Sequence, residues 1–495
     1  MKTRKIISLI LCFIMIVFAF SSCKKAEEET EETSDISDST DFASAICMQS
    51  EHYTVDAGMF SFFFYKDYFD AMETYYSTYY SGAGLDYTKD LKEQDYSDDA
   101  TWFDYFITMT YQNVGNYLVY AELANDEGTT LGDEDLKAID EEFESLVSAA
   151  EEADMTCDEY IKYCFGEDVT EENVKSALEL QTLADKQYDI DCDGISVSDK
   201  EIEDYYNENK DSFLYVDYRQ VQVRAEFEVD AKDDAEAYAI AKEKAEYIAS
   251  SKDIAEYVER SVEYLKTVND PNINKQISEK QTDEEIMAQM TNVTVKYAYT
   301  TNTEFGKWAF AEGRKDGDMT VLDNGAGIYT AYYLDSAPYR AENNTINARF
   351  ATFNPDNYES DEEAKQAAEN ALTAFNKTSK TGEDFAQIAV EYSVSSSGSL
   401  QKNIDLGSLS TYLEAWAFGE RSEGDCEIVE DSGVYYLCYF EGKDMQSWEY
   451  TAYSAVYSEK LSDLASEHYE NYSFNYNLNN MNLLSGITPY ATQES

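Results

Sequence analysis

The chain contains few histidines and few basic residues. Two of its 495 residues are histidine, His52 and His468, and Lys and Arg total 37 against 100 Asp and Glu, which gives a formal net charge of −63. The shortage of imidazoles argues against hydrolases built on Ser/His/Asp or Cys/His arrangements and against a histidine-supported metal site. A field of this sign repels nucleic-acid phosphates and anionic lipid headgroups, so we expect no nucleic-acid partner.

A Gly-rich phosphate loop is also missing, and we expect no nucleotide or other cofactor. The chain is 43% apolar and 14% aromatic, which at 495 residues is enough to build two to four domains. We interpret most of the carboxylates as a solvated surface that resists aggregation, and we expect no metal site.

The N-terminus has the pattern of an export signal. Three of the first five residues are basic, and residues 6–20 form an apolar run that is short for a bilayer span but suits a secretory signal. We therefore assign residues 1–22 to a signal peptide. The alternative is an uncleaved membrane anchor, and both interpretations place the rest of the chain outside the cytoplasmic membrane.

The signal ends in Phe20-Ser21-Ser22-Cys23, which resembles the bacterial lipobox. That resemblance implies a lipid on Cys23, so that the protein is held at the extracytoplasmic face of the cell membrane by its lipid alone. Residues 23–45 have little to bury and are predicted to form a disordered acidic tether.

Residues 46–213 show apolar residues at three- and four-residue steps, which predicts a domain of packed amphipathic helices. The aromatic residues between positions 59 and 69 are too dense for one helical stripe. We expect them to form a core, with partial exposure to a partner as the alternative. Ser198 and Glu201 have the spacing of a capping box and predict a helix start.

A module is duplicated in the second half of the chain. Its signature is Phe305-Gly306-Lys307-Trp308-Ala309-Phe310 in the first copy and Leu413-Glu414-Ala415-Trp416-Ala417-Phe418 in the second. The offsets between the copies are 108 residues at the Trp, 107 at a following Gly-Asp and 106 at a Tyr. The copies span residues 214–340 and 345–443, each with the expected order β-α-α-α-β-β, and residues 444–495 form a C-terminal helix and tail. The predicted fold class is α+β and multidomain.

Cys426 and Cys438 flank the hairpin turn of the second copy. If Glu430 pairs with Val434, these cysteines lie directly opposite each other and a cross-strand disulfide is possible, in a compartment that permits one. The alternative is that both are free, buried thiols.

The second copy resembles the parvulin-type peptidyl-prolyl isomerase family. The resemblance lies in Asp384-Phe385-Ala386-Gln387-Ile388-Ala389, Glu391-Tyr392-Ser393, Asp405-Leu406-Gly407, Ala417-Phe418, Gly424-Asp425 and Gly433-Val434-Tyr435. Residues 197–213, just upstream of the first copy, resemble the end of the helical chaperone domain in the SurA and PrsA families of foldases. The resemblance implies a helical chaperone domain followed by two isomerase-like modules.

The family carries a pair of histidines, which the resemblance places at Phe350 and Tyr435 in the second copy. In the first copy the same positions hold Gln220 and Tyr329. The family's Asp or Cys falls near Ser395. We therefore take Tyr435, Ser395 and Phe350 as the substituted catalytic positions.

The resemblance also implies a groove that accepts proline. Its apolar lining corresponds to Leu413 and Phe418 in the second copy and to Phe305 and Tyr329 in the first. We take these as candidate substrate-binding residues.

Isomerising an X-Pro bond requires rotation about a partial double bond and no bond making. We therefore predict a foldase that binds unfolded or newly secreted polypeptides, with weak or lost isomerase activity. One alternative is an active isomerase in which Tyr435 or Tyr329 donates a hydrogen bond in place of histidine. A second alternative is a surface binding or adhesion lipoprotein, and the question of a homodimer stays open.

Overall fold

A computed structural model describes residues 36–80, 82–270, 273, 282, 286, 293–394 and 396–489. The predicted signal peptide, Cys23, most of the tether and Ser395 lie outside these described residues. The chain divides into two compact units. One takes the described residues up to Ser196 and from Tyr457 onwards, and the other is Val197–Val456.

The first unit is mainly helical. Its N-terminal elements are β1 (Ile46–Gln49), β2 (Thr54–Asp56), α1 (Ala57–Tyr75), β3 (Asp95–Ser97), β4 (Ala100–Thr101), α2 (Trp102–Glu127), α3 (Asp133–Glu152), α4 (Cys157–Phe165) and α5 (Glu171–Gly194). Asp56 caps α1 by accepting a hydrogen bond from the Met59 amide at 2.8 Å. These helices confirm the prediction of packed amphipathic helices that was made from the spacing of apolar residues.

The aromatic block of α1 lies inside the first unit. Phe60, Phe62, Phe63, Phe64 and Tyr65 are each at most 3% exposed and share one core with α2, α4 and α5. This confirms the core interpretation of the block. The block is denser than one stripe because α1 is covered on several sides.

The second unit begins with α6 (Asp199–Glu208) and continues into the two modules. The capping box is confirmed: the Glu201 carboxylate accepts from the Ser198 amide at 2.8 Å, and the Ser198 hydroxyl accepts from the Glu201 amide at 3.4 Å. The elements of the first module are β5 (Leu214–Arg224), α7 (Asp234–Ala249), α8 (Ile254–Thr267), β6 (Val293–Ala298), α9 (Glu304–Ala309), β7 (Met319–Asp323) and β8 (Ile328–Arg340).

The second module repeats this order of elements. They are β9 (Asn344–Phe353), α10 (Asp361–Phe375), α11 (Gly382–Tyr392), β10 (Leu400–Ile404), α12 (Thr411–Ala417), β11 (Cys426–Asp431) and β12 (Val434–Gln446). The strand orders β6-β5-β8-β7 and β10-β9-β12-β11 are the same, with all neighbours antiparallel. The duplication read from the sequence is thus a duplication of fold, and the α+β class is confirmed.

The predicted element order was wrong in one respect, because each module has a fourth strand between its helices. In the second module this strand is β10, which pairs with β9 at the edge of the sheet. Of its five residues only Ile404 is buried. So short an edge strand shows no period-two pattern in the sequence.

The chain ends with α13 (Ser447–Asn471), β13 (Asn475–Tyr476) and α14 (Leu478–Met481). In the first unit β13 completes a three-stranded sheet with the order β13-β1-β2. Across the described part of the chain, no helix combines the length and apolar character needed to cross a bilayer.

A polar network joins the two modules within the second unit. Lys296 of β6 donates to the Asp405 carboxylate and, at 2.9 Å, to the Ser447 hydroxyl, which itself donates to Asp405 at 2.5 Å. Burial alone would raise the pKa of Asp405, but hydrogen bonds from Lys296, Ser447 and Asn343 outweigh it and hold the pKa below its usual range. The network therefore keeps Asp405 ionised where the modules meet.

We expect Asp405→Ala to destabilise the second unit by about 3 kcal/mol, because the Lys296 side chain, 10% exposed, would lose its partner. Urea unfolding followed by circular dichroism measures the change. The double substitution Lys296→Met with Asp405→Leu is the control and should cost clearly less, because it leaves no unpaired charge. Equal costs for the two variants would contradict the argument.

Two carboxyl groups inside the first unit should make its stability depend on pH. Burial raises the pKa of Asp67 to about 6 and that of Asp185 to about 7, although Lys66 lowers both. An unfolded Asp has a pKa of about 3.9. Between about pH 4 and pH 7 the folded chain therefore binds more protons than the unfolded chain, and its stability falls as the pH rises.

We expect the free energy of unfolding of this unit to be higher at about pH 5 than at about pH 8, by about 4 kcal/mol. Asp185→Asn should remove much of this difference, while Asp140→Asn, at an exposed position of α3, should not. Urea unfolding at both pH values measures it. A stability that rises with pH over this range would show that the buried carboxyls do not control it.

Candidate functional site

The two faces of the sheet in the second module are covered by different helices. One face packs on α10 and α11 through Ala351, Phe353, Tyr435, Leu437 and Tyr439. The other, called here the α12 face, carries Ile346, Ala348, Phe350, Tyr436, Cys438 and Phe440. Because successive strand residues point to opposite faces, a shift of one position moves a side chain from one environment to the other.

The structure does not bring Phe350 and Tyr435 together. Phe350 lies opposite Cys438 in the β9–β12 pairing, whereas Tyr435 lies opposite Phe353 on the other face. The Tyr435 hydroxyl is 3.3 Å from the Asp361 carboxylate at the start of α10. Tyr435 is therefore a core residue of the helix-covered side, and the tyrosine that shares a face with Phe350 is Tyr436.

The α12 face is filled by its own side chains. Leu413 is 8% exposed and Trp416 is 4% exposed. The rings of Phe350 and Trp416 meet edge to face, with centroids 6.2 Å apart. Phe418 packs at the border of the same cluster. Leu413, taken from the sequence as a groove residue, thus packs in a core instead of facing an open groove.

The corresponding face of the first module is filled by aromatic rings. Phe305 lies 4.3 Å from Tyr332 in a stacked arrangement and 4.4 Å from Tyr218, measured between ring centroids. Gln220 pairs with Tyr332 on this face. Tyr329 belongs to the opposite face, in the core with α7 and α8. The structure therefore separates Phe305 and Tyr329, which the sequence analysis grouped as one lining.

Position 395 falls outside the described residues. The serines on either side of it, Ser393 and Ser396, are hydrogen-bonded to β9. The Ser393 hydroxyl donates to the Thr352 carbonyl at 2.7 Å, and the Ser396 hydroxyl accepts from the Thr352 amide at 2.8 Å. These serines extend the pairing of β9 by side-chain hydrogen bonds. Their role could not be read from a Ser/Gly-rich loop.

Both histidines lie in the first unit, where each is within hydrogen-bond distance of a carboxylate. His52 is 2.7 Å from Glu122, and His468 is 2.7 Å from Asp191. The hydrogen bond to Glu122 raises the pKa of His52. Neither imidazole belongs to a module, as the sequence indicated.

In each module an arginine lies over the ring of the signature tryptophan. The sequence analysis did not predict this contact. Arg421 lies over the Trp416 ring at 5.5 Å, and Arg314 lies over the Trp308 ring at 4.9 Å. A shallow depression of about 540 Å³ is lined by residues 418–422, which include Arg421, and by Lys443. Each arginine covers the indole of its signature helix, which closes the cluster from outside.

Of the two alternatives for Cys426 and Cys438, the structure has the free thiols and no disulfide between them. The hairpin register differs by one from the assumed one: Asp431 pairs with Val434, so Cys426 lies opposite Tyr439. The two thiols consequently project from opposite faces of the sheet. Burial raises the pKa of Cys426 to about 12 and that of Cys438 well above its usual range.

The described residues contain no cluster of three or more His, Cys, Asp or Glu side chains that could hold a metal ion.

Comparison with known families agrees with this geometry. Residues 350–442 match the rotamase family, described as a PPIC-type PPIASE domain. The match lies inside the second module and confirms its resemblance to parvulin-type isomerases. It covers less than half of the chain.

Comparison with solved structures includes the foldase protein PrsA from Streptococcus pneumoniae, at 13% identity. The similarity covers 58% of this chain and 78% of that one, with a TM-score of 0.18, and carries no argument at that score. No curated protein matches the chain.

We expect Cys438 in the native protein to resist alkylation, because it is fully buried and its thiol stays protonated. Peptide mapping after iodoacetamide treatment measures this, with the less buried Cys157 of α4 as the reactive control. After denaturation without reductant, both Cys426 and Cys438 should be alkylated. A peptide in which the two are linked would contradict the register described here.

Proposed function

We propose that the protein is a lipid-anchored extracytoplasmic foldase that binds unfolded exported polypeptides and has weak or no isomerase activity. One observation carries the proposal. The second module keeps the isomerase-type fold matched at residues 350–442, while the face that carries Phe350 has no imidazole and is filled by α12.

Rotation about an X-Pro bond crosses a barrier of roughly 20 kcal/mol, and a catalyst must bind the twisted amide better than the planar one. That requires space for the proline ring beside a polar group. Phe350, Leu413 and Trp416 occupy this space in the second module with their own side chains. Phe305, Tyr218 and Tyr332 occupy it in the first.

The chemical groups left on the α12 face are poor substitutes for a histidine pair. The Cys438 thiol is fully buried, donates to the Tyr436 carbonyl at 3.5 Å, and has its pKa raised well above the usual value by burial. The Tyr436 hydroxyl also has a raised pKa, mainly through burial. Both groups remain neutral near pH 7, so neither supplies a charge to the rotating amide.

Binding without catalysis needs apolar side chains that a disordered chain can reach. The second module exposes Val390 by 50%, Val394 by 66% and Tyr412 by 62%. Contacts of this kind gain affinity by removing apolar surface from water. The net charge of −63 would keep bound chains apart from one another.

The location is proposed from the N-terminal sequence. A basic start, an apolar run and the lipobox-like residues 20–23 support export followed by lipid attachment at Cys23. A lipid at that position would place the client-binding units at the membrane surface, where exported chains first appear unfolded.

The family match also favours a second candidate, an active isomerase, because the matched domain is named for that activity. In this version the Tyr436 hydroxyl would act on the X-Pro amide. The version requires α12 to move away from Phe350 so that a proline ring can enter.

We expect the chain without residues 1–23 to suppress the aggregation of reduced α-lactalbumin, measured by light scattering. This client is acidic, so suppression would reflect apolar binding rather than charge. Albumin at the same mass concentration is the control. No suppression at a several-fold molar excess would overturn the chaperone part of the proposal.

In a protease-coupled assay on a proline tetrapeptide, we expect the observed rate to stay at the uncatalysed rate, with wild type and Tyr436→Phe alike. Tyr435→Phe is the matched control, because Tyr435 lies on the opposite face. A catalysed rate that Tyr436→Phe lowers and Tyr435→Phe leaves unchanged would establish the active isomerase instead.

A further inference from the structure

Aromatic side chains form an exposed patch on the first unit, between the C-terminal end of α1 and the hairpin β3–β4. The patch, called here the tyrosine patch, consists of Tyr79, Tyr80, Tyr96, Trp102 and Tyr105. Tyr79 is 50% exposed and Tyr96 is 42% exposed, whereas Trp102 is fully buried beneath them. The function proposed above makes no use of this surface.

The patch is held in place by ring contacts. Tyr96 lies 4.8 Å from both Trp102 and Tyr105, measured between ring centroids. The hydroxyls of Tyr80 and Tyr105 are 3.4 Å apart, and that of Tyr79 reaches Tyr96. Rings fixed in this way lose little conformational freedom when a ligand binds, so their contacts contribute efficiently to affinity.

Exposed carboxylates lie beside the patch, and Lys92 acts on one of them, Asp104. Asp95, Asp98 and Asp99 are exposed on and beside the β3–β4 hairpin that carries Tyr96, and Asp104 is exposed next to Tyr105. The sequence contains no Lys or Arg between positions 93 and 136. The carboxylates of the hairpin are therefore left to attract positive charge from outside the chain.

We propose that the tyrosine patch binds Lys and Arg side chains of an extended, cationic stretch of client polypeptide. The ring faces of Tyr79 and Tyr96 would receive the cations, since an ammonium or guanidinium over an aromatic ring is attracted by its quadrupole. The nearby carboxylates would draw the segment in and hold its remaining charges. This inference rests on the proposed function, because it names a class of client.

Charge decides between this occupant and others. Anionic lipid headgroups and nucleic acids would be repelled by the hairpin carboxylates. A second copy of the chain carries the same charge of −63 and would meet the same repulsion. An unfolded chain rich in Lys or Arg has the opposite charge and can reach Tyr79 and Tyr96 together.

The test measures fluorescence anisotropy of a labelled Gly/Ser peptide that carries several arginines, titrated with the chain without residues 1–23. Two peptides of the same length are compared, one with glutamine and one with glutamate at those positions. We expect the arginine peptide to bind about tenfold or more tightly than the glutamine peptide, and the affinity to fall as salt is added. Equal affinities for the three peptides would overturn the proposal.

The variant Tyr79→Ser with Tyr96→Ser should weaken binding of the arginine peptide by about tenfold. Tyr238→Ser with Tyr247→Ser is the matched control, because these tyrosines are 41% and 52% exposed in the second unit. It should leave the affinity unchanged. Equal losses in both variants would place the binding elsewhere and overturn the proposal.

A third variant keeps the proposal testable if the tyrosine variant fails to fold. Asp95→Asn, Asp98→Asn and Asp99→Asn together change only exposed carboxylates and should weaken binding several-fold while the circular dichroism spectrum stays the same. Unchanged affinity would overturn the proposal. If the chain without residues 1–23 binds the arginine peptide but does not suppress the aggregation of α-lactalbumin, the foldase function is refuted. Cation binding by the tyrosine patch would still stand.

Discussion

In each module, the antiparallel pairing of the last strand with the first decides which side chains share a face of the sheet. In the second module Phe350 is opposite Cys438 and Tyr435 is opposite Phe353, so the two family histidine positions named from the sequence lie on different sides. Helices α10 and α11 cover one side and α12 covers the other. The chemistry available to the module follows from this register, because only side chains on one face can act together.

In both modules the two faces of the sheet are covered by packed side chains. The cluster around Trp416 and Phe350 stabilises the second module by burying large apolar side chains, and the ring stack around Phe305 does the same in the first. The same packing removes the open space that a proline ring would need. The proposed function rests on these two features together, the absence of imidazoles from the modules and the filled face of the sheet.

The fold could be predicted from the sequence further than the site could. Signature residues at offsets of 106 to 108 identified the duplicated module, and capping residues such as Ser198 identified a helix start, because both are local patterns. The strand β10 was missed since only one of its residues is buried. The pairing of Cys426 with Cys438 was wrong by one position, and a slip of one residue in a hairpin reverses the face of every side chain. The tyrosine patch was not foreseen, because its members come from separate elements and meet only in the folded unit.

The central claim is that the isomerase-type module binds polypeptide without rotating X-Pro bonds. Exchange NMR on a peptide with one X-Pro bond, in the presence of the chain without residues 1–23, tests binding and rotation in the same sample. The account predicts broadened or shifted peptide signals from binding, with no exchange cross-peaks between the cis and trans forms. Strong cis–trans cross-peaks that disappear on Tyr436→Phe would contradict it.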